Sequence, residues 1–399
     1  MIIRSDYVNQ IKKFIDVPLV KVLSGVRRCG KSTILDMIKE ELINNRNIKK
    51  ENIISRKYNE VIYDDMTSKE MYNDLFKEFV NSDKYYLFLD ELQEIKGWEK
   101  VINDILEKYN VDIYVTGSNS KLMSSEISTY LSGRYVSIPV YTLSFKEYLI
   151  FKNKENSNIK ELFDEYLQYG GFPLIGISNF DTTSAYQVVE GIYSAVITRD
   201  ISKRHKIRNK DLFDRVVKYV IENVGKTFSA NSIVKFLKSE QRTLSVETIY
   251  NYLKWLADAF IIYPCSRYDI QGKSVLKTQE KYYLSDITFK YSKFGFSTSM
   301  IASMLENVMY LEMKRRGYEV YIGKNANKEI DFIGVRREEK IYIQVCRDLP
   351  ENSDREISNL MEIKDHYHKY VVTKDNLAKG NNNGIEIIHI ADFLLKENW

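Results

Sequence analysis

The sequence is poor in cysteine and has no long apolar run. Its three cysteines, Cys29, Cys265 and Cys346, lie far apart and form neither a CxxC metal pair nor a disulfide framework. No uncharged run reaches the roughly 18 apolar residues that a membrane-spanning helix needs, and Arg4 and Asp6 stand where a signal peptide is apolar. These absences predict no zinc or disulfide chemistry, no membrane span and a cytoplasmic protein.

A large excess of charge of one sign is also lacking. Lys and Arg number 59 and Asp and Glu 55, so the formal charge is +4, which is too small to argue for nucleic acid by itself. The hydrophobic share of 44% and the charged share of 29% are those of an ordinary soluble globular protein. At 399 residues the chain exceeds what one hydrophobic core usually organises, which predicts several domains.

The hydrophobic pattern predicts an α/β protein with four consecutive parts. Residues 1–141 alternate short apolar runs with longer amphipathic stretches, as the βαβ units of a parallel sheet do. Residues 142–208 form a predicted helical lid, 209–290 hold three helix candidates and a strand that suggest a winged helix-turn-helix, and 291–399 form a further α/β unit. The Asn-rich residues 381–383 are expected in a loop. The strand candidates of the first part are residues 19–23, 61–65, 85–90, 113–117 and 135–140.

One segment fits a phosphate-binding loop in every fixed position. Residues 25–32, GVRRCGKS, match G-x-x-x-x-G-K-[ST], follow an apolar strand candidate and open a helix candidate. Glycines let backbone N–H groups turn toward phosphates, and the positive end of a helix favours them. We expect Lys31 at the β- and γ-phosphates, Ser32 on Mg²⁺ and Thr33 near the α-phosphate of ATP; a glycine turn before a helix is the alternative. The predicted nucleotide-binding residues of this loop are Gly25, Arg28, Cys29, Gly30, Lys31, Ser32 and Thr33.

A second strand candidate ends in two acids. Residues 85–91 read YYLFLDE, which places Asp90 and Glu91 at the carboxyl edge of a parallel sheet, beside the phosphates. We expect Asp90 to hold Mg²⁺, directly or through water, and Glu91 to polarise the attacking water as the base. Two exposed acids at a strand end are the alternative.

Two further polar positions follow or precede strand candidates. Asn119 or Ser118, in the TGSN run after the fourth strand, is expected to hydrogen-bond the attacking water or the γ-phosphate, unless the run serves only as a turn or cap. Arg134 precedes the fifth strand and is predicted to reach the γ-phosphate of a neighbouring protomer; a local ion pair is the alternative. The first role for Arg134 implies a homo-oligomer.

Several short runs together resemble a known family. LDELQ at 89–93, GWE at 97–99, TGSN at 116–119, LSGR at 131–134 and LSFKEY at 143–148 are similar to prokaryotic AAA-type ATPases that carry a C-terminal domain of unknown function. The resemblance spans essentially the whole chain. It implies an AAA+ or STAND-like core that binds ATP, a winged helix and a C-terminal domain similar to PD-(D/E)xK nucleases. The implied fold class is α/β: a P-loop NTPase parallel sheet with helical lid, winged helix-turn-helix and C-terminal α/β nuclease-like domain.

The same resemblance suggests two elements in the lid. The GGFP run from Gly170 to Pro173 is similar to the Gly-x-Pro element with which related lids pack on adenine, which makes Pro173 a predicted nucleotide contact. A helix-terminating glycine followed by proline is the alternative. Arg199 and Asp200 resemble a recurrent pair of the family, and an exposed ion pair is the alternative.

The C-terminal part departs from the nuclease pattern. A PD-(D/E)xK site needs an acid on one strand and an acid or glutamine followed by a lysine on the next, which hold Mg²⁺ and activate water. Asp331 and Gln344 fit, and Glu306 on the preceding helix candidate completes a weak metal site, but Cys346 occupies the lysine position. Nothing adjacent in the sequence replaces the missing ammonium. We therefore expect a fold kept for binding, and cleavage to be absent.

The sequence leaves DNA binding open. On the third helix candidate of the winged-helix part, the outward positions Glu247, Asn251 and Lys254 are nearly neutral together, although DNA affinity depends on cations that contact phosphates. The basic stretch from Arg199 to Lys210 argues more strongly for nucleic acid, with a solvated charge run as the alternative.

Three hypotheses of function follow from these features. The first is an ATPase whose nucleotide-dependent lid movement changes how the later domains engage a protein partner or DNA. The second is a DNA-binding regulator in which ATP is a slow timer or structural ligand. The third is an ATP-driven, metal-dependent nuclease.

Overall fold

The chain folds into two compact units. The computed structural model describes residues 2–81, 83–120, 131, 133–155, 158–326, 328–349 and 355–399. The first unit comprises Met1–Tyr141 with Asp258–Phe260, and the second comprises Thr142–Ala257 with Ile261–Trp399. In the part of the chain that the structure describes, no helix is both long and apolar enough to cross a membrane.

The first unit is built on a five-stranded sheet in which every adjacent pair is parallel, in the order β2-β3-β4-β1-β5. Its strands are β1 (Val20–Ser24), β2 (Ile53–Lys57), β3 (Tyr85–Asp90), β4 (Val111–Gly117) and β5 (Tyr135–Pro139). Every residue of β1 and β3 is buried, as expected for strands covered by helices on both faces. Because the strands are parallel, their carboxyl ends share one edge of the sheet, and the predicted phosphate loop and acids follow those ends.

Among the described residues, one α-helix precedes these strands and three lie between them. They are α1 (Ser5–Lys12), α2 (Lys31–Arg46), α3 (Ser68–Phe76) and α4 (Trp98–Lys108). A capping box starts α3, where Thr67 and Glu70 satisfy each other's backbone N–H groups. Gly30 caps α2 in a left-handed conformation with φ of 102°, which glycine adopts without a steric penalty.

The predicted strand at 61–65 is wrong. Val61–Tyr63 is a single 3₁₀ turn, and the side chains of Val61 and Ile62 are 85% and 79% exposed. The strand next to β3 is instead β2, in which only Ile54 is buried and Arg56 and Lys57 break the apolar pattern. The prediction therefore placed the strand in an exposed apolar turn and overlooked an edge strand that carries charged residues.

The second unit contains a mixed eight-stranded sheet in the order β12-β13-β11-β10-β9-β8-β6-β7. The strands are β6 (Ile262–Asp269), β7 (Ser274–Leu284), β8 (Glu319–Asn325), β9 (Lys328–Arg336), β10 (Glu339–Cys346), β11 (His368–Thr373), β12 (Gly380–Asn382) and β13 (Ile385–His389). The predicted loop at 381–383 is wrong for Asn381 and Asn382, which pair antiparallel with β13, whereas Asn383 lies in the turn between the two strands.

Helices of the second unit precede and flank this sheet. In chain order they are α5 (Phe145–Lys152), α6 (Ile159–Tyr169), α7 (Pro173–Ile177), α8 (Thr182–Ala195), a π-helix (Val196–Ser202), α9 (Lys210–Glu222), α10 (Ala230–Ser239), α11 (Val246–Asp258), α12 (Thr288–Phe294), α13 (Ile301–Arg315), α14 (Arg355–Met361) and α15 (Ile390–Leu395). Three amphipathic helices, α9 to α11, followed by the β6–β7 hairpin give the element order predicted for a winged helix-turn-helix.

The parts predicted as lid, winged helix and C-terminal unit are joined within this second unit. The outer edge of β6 pairs in parallel with β8, so the hairpin belongs to the C-terminal sheet. Lys374 forms an ion pair of 2.7 Å with Asp164 of α6, and Arg315 donates to the Thr142 carbonyl at 3.0 Å. The lid helices and the sheet therefore form one body.

Candidate nucleotide-binding site

The loop between β1 and α2 has the backbone that its glycines allow. A Cβ atom added to Gly25 meets the Val140 carbonyl oxygen at 2.0 Å, so any larger residue displaces the loop. Arg28 adopts φ of 67°, a conformation that is costly without glycine and that often marks functional loops. The loop leads into the N-terminus of α2, whose dipole attracts anions. This arrangement suits a chain of phosphate groups.

Lys31 lies folded against the loop that precedes it. Its Nζ donates to the carbonyl oxygens of Gly25 at 2.9 Å and Val26 at 3.2 Å, and the side chain is buried. Ser32 is half-buried and Thr33 is exposed on the first turn of α2. The ammonium of Lys31 therefore lies on the loop itself, where a phosphate is expected to bind.

A buried arginine supports the same loop from the N-terminus of the chain. Arg4 donates from Nη1 to the Cys29 carbonyl at 2.8 Å and from Nη2 to the Tyr141 carbonyl at 3.1 Å. The Cys29 side chain is fully buried, and burial raises the pKa of its thiol. Cys29 therefore contributes to the loop through its backbone.

The two acids at the end of β3 share one hydrogen-bond partner, Thr116. Asp90 accepts a hydrogen bond from the hydroxyl of Thr116, which in turn accepts the N–H of Glu91 at 3.0 Å. Glu91 is in the left-handed region, with φ of 53°, and is buried. Thr116 thus fixes the peptide that carries both carboxylates.

The carboxylate of Glu91 is held by two polar neighbours. Gln93 donates through Nε2 and Ser118 donates through Oγ at 3.2 Å, both to Glu91 Oε2. Burial acts to raise the pKa of Glu91, but the charges of Lys31 and Arg27 and these two hydrogen bonds outweigh it, so the pKa lies below the usual value. The group is therefore ionised at neutral pH and able to accept a proton.

An acceptor remains beside this carboxylate. The Oε1 atom of Gln93 is buried and has no hydrogen-bond donor among the described residues. Buried polar atoms are normally paired, so an unpaired acceptor suits a ligand or water that brings a donor. ATP and Mg²⁺ fit this edge of the sheet, since it combines a cationic loop, a serine hydroxyl and two ionisable acids.

The other predicted residues lie in different positions. Asn119 is buried directly after Ser118. Arg134 precedes β5, at the amino edge of the sheet, and its Nη2 contacts Asn103 Oδ1 and Glu107 Oε1 at 3.1 Å each. The structure thus contains the local ion pair for Arg134, on the edge of the sheet opposite to the phosphate loop of its own chain. Ser132 of the LSGR run lies outside the described residues.

Sequence reasoning missed four residues of this site: Arg4, Arg27, Gln93 and Thr116. Gln93 and Thr116 lie within the LDELQ and TGSN runs, so these runs could have identified both as site residues. Arg4 has no local signal, because it meets Cys29 only in the folded chain.

Two family models match the chain. Residues 18–149 match the AAA domain, and residues 160–299 match the model described as Domain of unknown function (DUF8612). An uncharacterized protein of Haemophilus influenzae is 37% identical over 400 residues, which are 99% of each chain. The uncharacterized protein MJ1544 of Methanocaldococcus jannaschii is 31% identical over 361 residues, 85% of this chain and 77% of the other. The chain belongs to this family of AAA-domain proteins. The glycine loop at residues 25–32 and the strand β3, which ends at Asp90, both lie inside the matched AAA domain.

A solved structure supports the fold of this AAA protein. The Walker-type ATPase of Pyrococcus abyssi superposes with a TM-score of 0.53 over 73% of this chain and 95% of the other, at 14% identity. At this identity the likeness concerns the fold alone. The parallel five-stranded sheet with its loop is accordingly a P-loop NTPase core of the AAA type.

The two glycines of the GGFP run have a packing role in the second unit. Gly170 has φ of 68°, and an added Cβ meets Asp286 Oδ1 at 2.3 Å. Asp286 is buried and accepts the N–H of Gly171 at 2.8 Å. Pro173 occupies the first turn of α7 and is half-buried. These contacts explain the two glycines without a nucleotide, and the adenine contact of Pro173 stays a prediction.

The exposed ion pair considered for Arg199 and Asp200 is wrong. Asp200 is 1% exposed and lies 4.0 Å from Arg204 instead, while Arg199 is exposed. Both residues belong to the π-helix that extends α8, and consecutive side chains of a helix point in different directions.

Two of the three residues of the weak metal site predicted in the C-terminal part meet, and Glu306 bonds other residues. Asp331 and Gln344 meet across β9 and β10, where Gln344 Oε1 accepts the Asp331 N–H at 3.3 Å and Asp331 Oδ2 accepts the Val345 N–H at 2.8 Å. Glu306 accepts from the Tyr283 hydroxyl at 3.2 Å. In the described residues no group of three or more His, Cys, Asp or Glu side chains is suited to hold a metal ion.

A lysine that is distant in sequence lies beside these acids. Lys281 of β7 is 5% exposed, and its Nζ lies 3.3 Å from Glu306 and 2.8 Å from Glu329. Burial opposes its charge, but the carboxylates of Glu306, Asp331 and Glu329 outweigh burial and keep its pKa above the ordinary value. A lysine distant in sequence thus neutralises the acids that a metal would need.

Proposed function

We propose that this AAA protein is a Mg²⁺-dependent ATPase, of AAA+ or STAND type, whose nucleotide state controls how its second unit engages a partner. The observation that carries the proposal is the arrangement of Glu91: a buried, ionised carboxylate held by Gln93 and Ser118 beside the Lys31 loop. A carboxylate with a lowered pKa in such a place suits the orientation of an attacking water.

The roles follow from position. Ser32 and Asp90 are the residues that would hold Mg²⁺, which supplies charge neutralisation on the phosphates when bound. Lys31 and the loop N–H groups bind the phosphates, and Thr116 keeps Asp90 and Glu91 in place. Glu91 accepts the proton of the attacking water, with Ser118 or Asn119 orienting that water.

The contacts within the second unit support the claim that the nucleotide state controls how this unit engages a partner. Lid helices, the winged-helix segment and the C-terminal sheet are held together by the ion pair between Lys374 and Asp164 and by the pairing of β6 with β8. We propose that this unit moves as one body when the nucleotide changes, and that its α9–β7 part is a winged helix-turn-helix.

Steady-state phosphate release tests the proposal. Wild type should hydrolyse ATP, and Lys31→Ala and Glu91→Gln should lose on the order of a hundredfold or more in turnover. Glu94→Gln is the matched control, since Glu94 is an exposed acid three residues away. Equal release from wild type, Lys31→Ala and Glu91→Gln refutes the ATPase. Nucleotide binding without turnover in the wild type favours the regulator in which ATP is a structural ligand.

The proposed role of Arg134 at a γ-phosphate requires a homo-oligomer. Its place at the amino edge of the sheet means that only a second copy can bring it to a γ-phosphate. Mixing Arg134→Ala protein with Lys31→Ala protein should restore some activity, because the Lys31→Ala subunit donates an intact arginine to an intact site. Absence of rescue at every mixing ratio leaves Arg134 as a structural residue that contacts Glu107.

We also propose that the C-terminal domain is nuclease-like in fold and inactive in cleavage. The contact of Lys281 with Glu306 and Glu329 supports this, since the acids already have a counter-charge. Labelled DNA with Mg²⁺ or Mn²⁺ should remain intact. Cleavage that Asp331→Ala abolishes would show the domain to be an active nuclease.

A further inference from the structure

We infer that the exposed face of α11 and the basic segment Arg199–Lys210 form one surface that binds duplex DNA. The inference deepens the proposed function by naming the partner of the second unit. The link between the two elements is a stacked pair: the ring of His205 lies 4.3 Å from that of Trp255, with 11° between their planes. This contact holds the basic segment against α11.

The basic segment presents its charge to solvent. Its exposed cations are Arg199, Lys203, Lys206, Arg208 and Lys210. None of them forms an ion pair with a carboxylate of the described residues. The one acid within the segment, Asp200, is buried. A cluster of unpaired cations is the electrostatic feature that phosphate backbones require.

The segment is also held in place. It begins within the π-helix, where Lys203 donates its N–H to the Thr198 carbonyl at 3.0 Å and His205 donates to the Ile201 carbonyl at 2.9 Å. The side chain of Ile201 is fully buried. The backbone that carries Lys203 is therefore held by hydrogen bonds to the preceding helix.

The exposed face of α11 adds groups suited to bases. Tyr250 is 58% exposed, and Glu247, Asn251 and Lys254 are exposed beside it at helical spacing. Asparagine can bond the edge of adenine in the major groove, into which a helix fits. The helix alone is nearly neutral, so the phosphate contacts must come from elsewhere. The basic segment can supply these phosphate contacts, because the stacking of His205 on Trp255 places it beside α11.

The hairpin that follows α11 is joined to another part of the second unit. The tip of β6 is paired with β8, and Ile270 donates its N–H to the Lys324 carbonyl at 2.9 Å. The hairpin is therefore bound to the C-terminal sheet. Exposed cations beside groups that can bond base edges favour duplex DNA over an acidic protein as the partner.

Fluorescence anisotropy with a labelled duplex of about 25 base pairs, in 50 to 200 mM KCl, tests the surface. Wild type should bind with an affinity that falls steeply with salt, and Lys203→Glu/Lys206→Glu should weaken binding by about tenfold or more, since phosphate contacts supply most of the affinity. Lys364→Glu/Lys379→Glu is the control, because it changes the net charge equally at exposed lysines outside the segment. Tyr250→Ala/Asn251→Ala should reduce discrimination between duplex sequences.

Several outcomes overturn the inference. These are no binding of wild type at 50 mM KCl, equal loss in both charge-reversal variants, and stronger binding of single-stranded DNA or poly-glutamate than of the duplex. Phosphate release without DNA should be the same in Lys203→Glu/Lys206→Glu and wild type. The DNA surface and the ATPase can thus fail separately.

Discussion

The guanidinium of Arg4 donates to the carbonyl oxygen of Cys29 at 2.8 Å, so a residue at the start of the chain holds the phosphate loop. Arg4→Ala removes a charged donor from two buried carbonyls and should weaken nucleotide binding by roughly tenfold, since such a hydrogen bond contributes about 1.5 kcal/mol. Titration with a fluorescent ATP analogue measures this. Arg46→Ala, at a partly exposed arginine 3.5 Å from Asp16, is the control and should bind normally. Unchanged affinity in Arg4→Ala would show that the loop keeps its shape alone.

Gln93 and Ser118 should affect turnover more than binding. Both donate to Glu91, so Gln93→Ala and Ser118→Ala should lower kcat by about tenfold, as loss of a supporting partner commonly does, while KM changes little. Lys100→Ala, at an exposed lysine on α4, is the control. A rise in KM at constant kcat would instead place these residues in nucleotide binding.

Gly170 should resist substitution for a steric reason. Gly170→Ala places a Cβ against the buried Asp286 and in a left-handed conformation, which together should destabilise the second unit by at least about 2 kcal/mol. Gly191→Ala is the matched control, because its Cβ meets nothing within 4 Å in the middle of α8 and should stabilise by up to about 1 kcal/mol. Thermal unfolding compares them. Normal stability in Gly170→Ala with loss of nucleotide binding would favour the adenine contact.

Lys281 and Glu306 should be coupled energetically. Lys281→Met leaves Glu306 without its cationic partner and should cost about 3 kcal/mol, as breaking a buried pair does. The double variant Lys281→Met/Glu306→Gln should cost less than the two single changes added together. Unfolding in urea measures this cycle. Additive costs would mean that the contact at 3.3 Å contributes no net stability.

Lys290 should make stability depend on alkaline pH. Burial, assisted by the nearby charge of Lys226, lowers the pKa of Lys290 to about 8 from 10.5. Between these values the unfolded chain binds the proton that the folded chain has lost, so stability rises as pH increases through this range. The contribution is on the order of 3 kcal/mol. Lys290→Met should remove that rise, which thermal unfolding at pH 7 to 10.5 detects as a difference from wild type. Parallel pH profiles of the two proteins would contradict it.

Local patterns predicted the residues that meet at the carboxyl edge of the first sheet. The glycine loop and the strand before Asp90 carry their structure in consecutive residues, so spacing and hydrophobicity suffice. β2 was missed because it is an edge strand with one buried side chain. Its charged residues can face solvent, so it lacks the apolar pattern of a buried strand.

Contacts between distant segments could not be predicted from the sequence pattern. Lys281 of β7 and Glu306 of α13 are separated by the helix α12, and nothing in the spacing shows that β7 joins the same sheet as β9. Arg4 and Cys29 are 25 residues apart and become neighbours only when α1 packs beside the loop. Such pairings depend on strand order, which hydrophobic periodicity does not encode.

The pairing of β6 with β8 also limits how this gene can be rearranged. A hairpin encoded before residue 285 is a structural part of a sheet encoded mostly after residue 318. A chimaera joined between them must supply a matching strand edge, or it exposes two unpaired edges that favour aggregation. The hairpin and the C-terminal strands are therefore expected to be inherited and exchanged together.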